Sequence, residues 1–317
     1  MSTATQVLKS RQGLDFKNIL FATDFSAASE HALSYALVIA RRYHSELFVV
    51  HAIPPAPRDP ISMETLPREM NRPYLEAEQR LEELGTRSNL EGTDHLLLGQ
   101  GPVWNVLGST IQREKIDLLI LGTRVRGGLI KLAVGSAAEE VLRTVPCPVL
   151  TVGPHVPNAA PETINFSRIL FATDFGPAST RAFPYALSLA ENYQAKLVLM
   201  HTVPPMPTLD LGPANYAPSD YGAENFTKWQ RFTREKSIER LKGLVPADAD
   251  LACEPEFLAE TDFLPEGILL TAAERRVDLI VMGANHASST RVASHIPWAR
   301  THEVISRAQC PVLTVAQ

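Results

Sequence analysis

The chain contains two copies of one sequence pattern, 150 residues apart. Residues 16–25 read Phe-Lys-Asn-Ile-Leu-Phe-Ala-Thr-Asp-Phe, and residues 166–175 read Phe-Ser-Arg-Ile-Leu-Phe-Ala-Thr-Asp-Phe. Each copy closes on Cys-Pro-Val-Leu-Thr-Val, at 147–152 and 310–315. A repeat of this length is a duplicated domain, since solenoid repeats have periods of roughly 20–50 residues. The sequence therefore predicts two domains, at 1–153 and 166–317, with a proline-containing linker between them.

Composition narrows the class of protein. The 317 residues give each half enough chain for its own hydrophobic core, and the net charge of −5 comes without a block of like charges. This balance argues against nucleic acid or an anionic membrane surface as a partner. No apolar run approaches the roughly 20 residues that span a bilayer, the N-terminus lacks a signal-peptide pattern, and three cysteines are too few for a disulfide framework. We expect a cytoplasmic protein.

Strand-like and helix-like segments alternate through the first half. Short apolar runs predict strands at 18–23, 46–53, 94–98, 117–122 and 148–152, and helical patterns lie at 29–44, 75–90, 103–115 and 136–144. Five strands separated by four helices predict a parallel, doubly wound sheet. The strands are almost continuously apolar, as expected of a sheet that is covered on both faces.

The second half repeats this order. Strands are expected near 168–173, 196–203, 251–256, 278–283 and 311–315. Pro184 stands where the first half has Ser34, and a proline at this place is expected to start the helix late or to kink it. The fold class is thus α/β, with two tandem five-stranded domains.

In a doubly wound sheet, ligands bind beyond the carboxyl ends of the strands, where the strand order reverses. Thr23 and Asp24 end the first predicted strand, His51 and Ala52 end the second, and Gly122 ends the fourth. The Asp24 carboxylate is suited to accept hydrogen bonds from ribose hydroxyls. An equally open alternative is that Asp24 caps the turn or helix that follows.

The loop after Gly122 has the features of a phosphate site. It leads to Gly135-Ser136 at a predicted helix N-terminus, where free backbone N–H groups and the helix dipole favour an anion. Arg124, Arg126 and Lys131 add positive charge to this loop. The alternative is an ordinary turn in which Ser136 is only an N-cap.

Taken in order, these segments resemble the universal stress protein family. The resemblance rests on Ala-Thr-Asp-Phe-Ser, Val-Val-His-Ala, the glycine-bearing loop, Gly-Ser, and Pro-Cys-Pro-Val-Leu-Thr-Val, and it covers the chain as two tandem copies. It implies the adenine nucleotide alpha hydrolase-like fold, binding of ATP or a related adenine nucleotide with or without Mg²⁺, and dimerisation through the last strand. Together with the loop residues Arg124 and Gly127, the resemblance implies a nucleotide site formed by Ala22, Thr23, Asp24, Ala52, Leu121, Gly122, Gly135, Ser136, Ala137 and Ala138. It implies no catalytic or metal-ligating residue.

Both halves depart from the family motif Gly-x2-Gly-x9-Gly-Ser/Thr. In the first half Val125 replaces the second glycine, where positive φ and close approach to phosphate would favour glycine, although Gly127 and Gly128 could take over the bend. In the second half His286 takes the place of that glycine, and by the family spacing Ile296-Pro297 replaces Gly-Ser. Proline offers neither a backbone N–H nor a hydroxyl. One nucleotide per chain, in the first half, is therefore expected.

Three functions remain open from the sequence. The first is a nucleotide-binding stress-response module in the cytoplasm. The second is a slow ATPase or autophosphorylating protein, against which stand the lack of a convincing general base and of a carboxylate pair suited to Mg²⁺. The third is a nucleotide-independent scaffold. For assembly, we expect residues 149–152 to pair with 312–315 in an intramolecular pseudo-dimer, with a further dimer of chains as an option.

Overall fold

The computed structural model describes residues 15–55, 72–90, 94–123, 145–203, 223–262, 264–284 and 295–316. The chain divides into two compact units, and the boundary lies between Ile164 and Asn165. The predicted domain boundaries fall on either side of this point.

The first unit alternates strands and helices. Its strands are β1 (Asn18–Ala22), β2 (Glu46–Ile53), β3 (His95–Gln100), β4 (Leu118–Gly122) and β5 (Val149–Val152). Its described helices are α1 (Ala27–Tyr43), α2 (Arg72–Arg87) and α3 (Val103–Arg113), with a 3₁₀ turn at Pro161–Thr163. The predicted helix at 136–144 lies outside the described residues.

The second unit repeats the order of elements. Its strands are β6 (Arg168–Ala172), β7 (Lys196–Val203), β8 (Glu256–Thr261), β9 (Leu279–Ala284) and β10 (Val312–Ala316). Its helices are α4 (Pro177–Tyr193), α5 (Ala223–Lys242), α6 (Glu266–Glu274) and α7 (His295–Arg307).

Each unit is built on a parallel sheet whose strand order reverses beside its first strand. In the first unit β1 pairs with β2 on one side and with β4 on the other, β3 lies beyond β2, and β5 lies beyond β4. In the second unit β6 pairs with β7 and β9, with β8 and β10 outside them. The central residues Ile19, Leu20, Ile169 and Leu170 have no exposed surface, because helices cover both faces of the sheet. The predicted fold class is confirmed.

One strand prediction for the second half was wrong, and so was the late helix start that was one of two alternatives for Pro184. The strand expected at 251–256 lies instead at Glu256–Thr261, directly after Pro255, which has no N–H to donate to the ladder with β7. Helix α4 is not delayed by Pro184. It begins at Pro177, a residue favoured at the first helical position, and continues through Pro184 to Tyr193.

Burial determines the character of two cysteines, and hydropathy bears on whether a helix could cross a membrane. Cys147 and Cys310 are buried, and burial raises the pKa of each thiol to about 12, so both behave as small apolar side chains. In the described parts of the chain, every helix is too short or too polar to span a lipid bilayer.

Candidate functional site

The strand ends at the reversal of strand order form the candidate site in each unit. In the first unit, Ala22 ends β1, Ala52 lies near the end of β2, and Leu121 and Gly122 end β4. Since β1 is hydrogen-bonded to both β2 and β4, these predicted site residues meet at one edge of the sheet.

The turn after β1 is held by Thr23, Asp24 and two serines. The Thr23 hydroxyl accepts a hydrogen bond from the Phe25 N–H (2.9 Å) and lies 3.1 Å from the Ser29 hydroxyl. Asp24 is exposed, and its Oδ1 accepts from the Ser26 N–H at 3.0 Å. Ser26 is the N-cap of α1 and forms a capping box with Ser29. The capping alternative for Asp24 is therefore only partly right: Asp24 closes the turn, and Ser26 caps the helix.

The second unit uses a different set of hydrogen bonds at the same place. Gly176 replaces Ser26 as the N-cap and has no side chain to cap with. The Ser179 hydroxyl, equivalent to that of Ser29, donates to Asp174 Oδ1 at 2.5 Å, and the same oxygen accepts from the Gly176 N–H at 2.8 Å. Sequence reasoning missed this difference, although the change from Asp-Phe-Ser to Asp-Phe-Gly signals it. One Asp174 oxygen is thus occupied by two internal donors.

The two strand-end glycines have a packing role that is independent of any ligand. A Cβ at Gly122 would lie 2.2 Å from the Ala28 carbonyl oxygen, and a Cβ at Gly283 would lie 2.3 Å from the Ser179 backbone nitrogen. Both distances are far below van der Waals contact. Glycine is therefore required where the first turn of α1 or α4 packs on the neighbouring strand end, and Gly122 by itself does not indicate a nucleotide.

An arginine–phenylalanine–histidine stack borders the site in both units. Phe25 has φ of 57°, and its ring lies 4.5 Å from the ring of His51. The Arg80 guanidinium lies 4.5 Å above the same phenyl ring. The second unit has an equivalent stack. Phe175 has φ of 59°, its ring lies 4.6 Å from the ring of His201, and the Arg240 guanidinium lies 3.9 Å from the centre of the Phe175 ring. Sequence reasoning treated the histidines as strand-end residues and missed both arginines.

The histidine of each stack also ties two strands together. His51 Nδ1 lies 2.9 Å from the Thr23 carbonyl oxygen, and His201 Nδ1 lies 2.8 Å from that of Thr173. Since a carbonyl only accepts, Nδ1 carries the hydrogen. Burial holds the pKa of His201 below its usual range, against the effect of the Thr173 hydrogen bond, and the Arg240 charge acts in the same direction as burial.

The second unit has a cavity at its strand ends. Its volume is about 190 Å³, and its walls come from β6, β7, β9, α4, α6 and α7. Apolar side chains, among them Ile268, Met282 and Val304, form much of the surface, and Asp174 and Arg300 supply opposite charges.

Half of the predicted nucleotide site lies outside the described residues. This half comprises the loop and helix positions Arg124, Gly127, Gly135, Ser136, Ala137 and Ala138. Among the residues that the structure does describe, no group of three or more histidine, cysteine or acidic side chains is placed to hold a metal ion.

The family model described as "Universal stress protein family" matches residues 15–153 and 165–316. The chain belongs to the universal stress protein family. A universal stress protein of Thermus aquaticus is 36% identical over 140 residues, which is 43% of this chain and 98% of the relative. Another, from Methanocaldococcus jannaschii, is 26% identical over 145 residues, covering 43% of this chain and 82% of the relative. Both relatives correspond to one of the two units.

Among solved structures, a universal stress protein from Archaeoglobus fulgidus resembles the whole chain. It covers 94% of this chain and 98% of its own, with a TM-score of 0.63 and 20% sequence identity. At this identity the likeness shows the fold. The tandem arrangement of two universal stress protein domains is therefore supported both by sequence and by structure.

Proposed function

We propose that the first unit binds ATP or a related adenine nucleotide, and that the protein is a cytoplasmic stress-response module regulated by this binding. The observation that carries the proposal is the placement of Ala22, Thr23, Asp24 and Ala52. In a member of this family, these residues occupy adjacent strand ends at the reversal of strand order, next to Gly122.

The described part of the site fits the adenosine end of a nucleotide. Asp24 presents an exposed carboxylate beside the end of β1, suited to accept from ribose hydroxyls. Ala52 has a small side chain, so the base can approach the backbone of β2. The phosphates would lie on Gly135, Ser136 and the following N–H groups, with Arg124 and the bend at Gly127 nearby, and Mg²⁺ would come with the phosphates.

The second unit lacks the glycine and the hydroxyl of the phosphate site under either possible alignment, and under one of them it also loses a backbone N–H at Pro297. Spacing from Gly283 places Ile296-Pro297 opposite Gly135-Ser136, whereas spacing back from Cys310 places Trp298-Ala299 there. Both pairs lie within the first turns of α7, and neither contains glycine or a hydroxyl. We therefore expect one nucleotide per chain, with a motif that is largely retained in the first domain (1–153) and eroded in the second (166–317).

Titration calorimetry of the full chain with ATP tests the proposal. The expected stoichiometry is one, and Val125→Gly should tighten binding if the bend falls at that residue, because glycine adopts positive φ without strain. A stoichiometry of two, or no binding together with no nucleotide among the small molecules released from freshly purified protein, would contradict it. The second result would favour the nucleotide-independent scaffold. Phosphate release over hours would instead favour slow hydrolysis.

We also propose that the two closing strands pair within one chain. Residues 149–152 and 312–315 have the same sequence, Val-Leu-Thr-Val, and each strand is the last of its own sheet on that side. An apolar edge strand favours pairing with another strand, since its free N–H and C=O groups need partners. We propose no nucleic-acid partner, because a net charge of −5 does not favour binding to a polyanion.

A further inference from the structure

The cavity of the second unit is too small for the ligand proposed for the first. Its volume is about 190 Å³. A cavity of about 150 Å³ lined by aliphatic and aromatic side chains admits benzene, whereas pockets for drug-sized ligands begin at roughly 300 Å³. The cavity therefore encloses about the volume of a single ring or a short branched chain with one polar group, which is less than a nucleoside triphosphate occupies.

The positive charge in this cavity comes from a residue that the first unit does not have at the equivalent position. Arg300 lies on α7 and lines the cavity. The closing segments are 163 residues apart, and this spacing places Glu303 and Val304 opposite Glu140 and Val141. The same alignment places Arg300 and Thr301 opposite Ala137 and Ala138, which are the positions next to the Gly-Ser pair. By this alignment, the second unit has an arginine in sequence where the first has an alanine.

Arg300 is an exposed lining residue of the cavity. It forms no ion pair with any residue that the structure describes, whereas Arg307 on the same helix pairs with Glu266 and Glu303. Asp174 also lines the cavity, but no ion pair joins it to Arg300, and one of its oxygens is occupied by Gly176 and Ser179. The cavity lining therefore includes a cation on α7 and an anion after the end of β6, together with apolar side chains.

We propose that this cavity is a second, separate ligand site, which binds a small carboxylate or phosphate with a compact apolar body through the Arg300 guanidinium. Arginine donates two parallel hydrogen bonds to a carboxylate or a phosphate, so it can replace the backbone N–H groups and the hydroxyl that the first unit offers. Ile268, Met282 and Val304 would cover the apolar body. The Asp174 carboxylate would keep the anionic group on the side of α7.

Methionine methyl signals can locate binding in this cavity. The sequence has six methionines, and both of those that the structure describes, Met200 and Met282, line the cavity. Full-length protein labelled with ¹³C at the methionine methyl groups is titrated with benzoate, phenyl phosphate and the neutral analogue benzamide. The Met282 signal is assigned from the Met282→Leu variant.

The expected result is a saturable shift of the Met282 signal with benzoate or phenyl phosphate, and whichever binds more tightly identifies the anion class. Benzamide should bind at least ten-fold more weakly, and Arg300→Gln should weaken benzoate about ten- to hundred-fold, the effect of losing a charge-assisted hydrogen bond. Arg181→Gln, an exposed position on α4 away from the cavity, should change nothing. Asp174→Asn should leave binding unchanged or tighten it.

Three outcomes would overturn the proposal: no shift with either anion, equal binding of benzamide, or unchanged binding in Arg300→Gln. A shift of Met282 with ATP would also overturn it, because the cavity would then be a nucleotide site. Failure of ATP to bind anywhere would leave this proposal standing, since it does not depend on the nucleotide site of the first unit.

Discussion

The hydroxyls of Ser29 and Ser179 occupy equivalent positions but make different hydrogen bonds. In the first unit Ser29 is shared between Thr23 and the capping box with Ser26. In the second, Ser179 donates to Asp174, because Gly176 has no side chain for a capping box. A single change from serine to glycine therefore alters how the neighbouring carboxylate is used.

Asp24 is expected to contribute to nucleotide binding, and Asp174 is not. Asp24→Ala should weaken ATP binding about ten- to hundred-fold, as expected for loss of a hydrogen bond to a charged group, while Asp174→Ala leaves it unchanged. Asp24→Asn keeps an oxygen for the Ser26 N–H but removes the charge. This variant therefore distinguishes the role of Asp24 in holding the turn from its role in binding the ligand. Calorimetric titrations of the three variants measure these effects, and equal weakening by both alanine variants would contradict the predicted asymmetry.

His201 should make the stability of the second unit depend on pH. Its pKa in the fold is lowered by burial, so the unfolded chain takes up a proton at higher pH than the folded one. Its contribution to stability is thus present above the ordinary pKa of about 6.5 and is lost as the pH falls through the folded value. Denaturant titrations between about pH 8 and pH 5 should show a smaller loss of stability on acidification for His201→Gln. An equal dependence of the unfolding free energy on pH in the wild-type protein and the His201→Gln variant would rule out this role. The pKa of His31 is also lowered, but His31 is present in both proteins and its effect cancels in the comparison.

At the scale of elements, the strands could be predicted more reliably than the site. Near-continuous apolar runs of five to eight residues identify β1, β2, β6 and β7 within one residue, because both faces of each strand are buried. The misplaced β8 has half-buried residues and a less apolar sequence, so only Pro255 marked its start. The strand-end residues of the site followed directly from the strands.

The parts of the site that were missed come from elements without a constant spacing. Phe25 and Phe175 are 150 residues apart, as are His51 and His201, but Arg80 and Arg240 are 160 apart. Comparison of the two halves at one offset therefore could not pair the arginines. The cavity escaped prediction for a similar reason, since two additional residues between Gly283 and Cys310 move Arg300 out of the family spacing.

The packing of α1 and α4 on the strand ends predicts that both glycines resist substitution. Gly122→Ala and Gly283→Ala should each destabilise the protein by about 1–3 kcal/mol, because a methyl group would overlap backbone atoms of the neighbouring helix. Gly108→Ala is the matched control: it lies in α3 with nothing within 4 Å of the added carbon, and alanine favours the helix by up to about 1 kcal/mol. Equal behaviour of the three variants in denaturant titrations would show that the close contact does not constrain residues 122 and 283.

At the scale of the whole molecule, the pairing of closing strands can be tested with one unit alone. Single-unit relatives of about this length exist, so residues 1–164 should fold independently. With its partner strand removed, this fragment should form a homodimer through residues 149–152, because the free edge of β5 needs a pairing partner. Light scattering after gel filtration gives the mass, and circular dichroism shows that the fragment is folded. A folded fragment that remains monomeric at high concentration would contradict the pairing.

The close fit of a helix against each strand-end glycine has a consequence for the history of the duplication. After one copy of the ancestral domain became two, the second could exchange its loop and the start of α7 without losing its fold. It could not exchange Gly283, because a Cβ at this residue would lie 2.3 Å from a backbone atom of α4. The glycine persists as a requirement of the architecture after the chemistry around it has changed. A retained glycine at this position therefore reports the packing of a helix on a strand end, and the residues around it were free to change without loss of the fold.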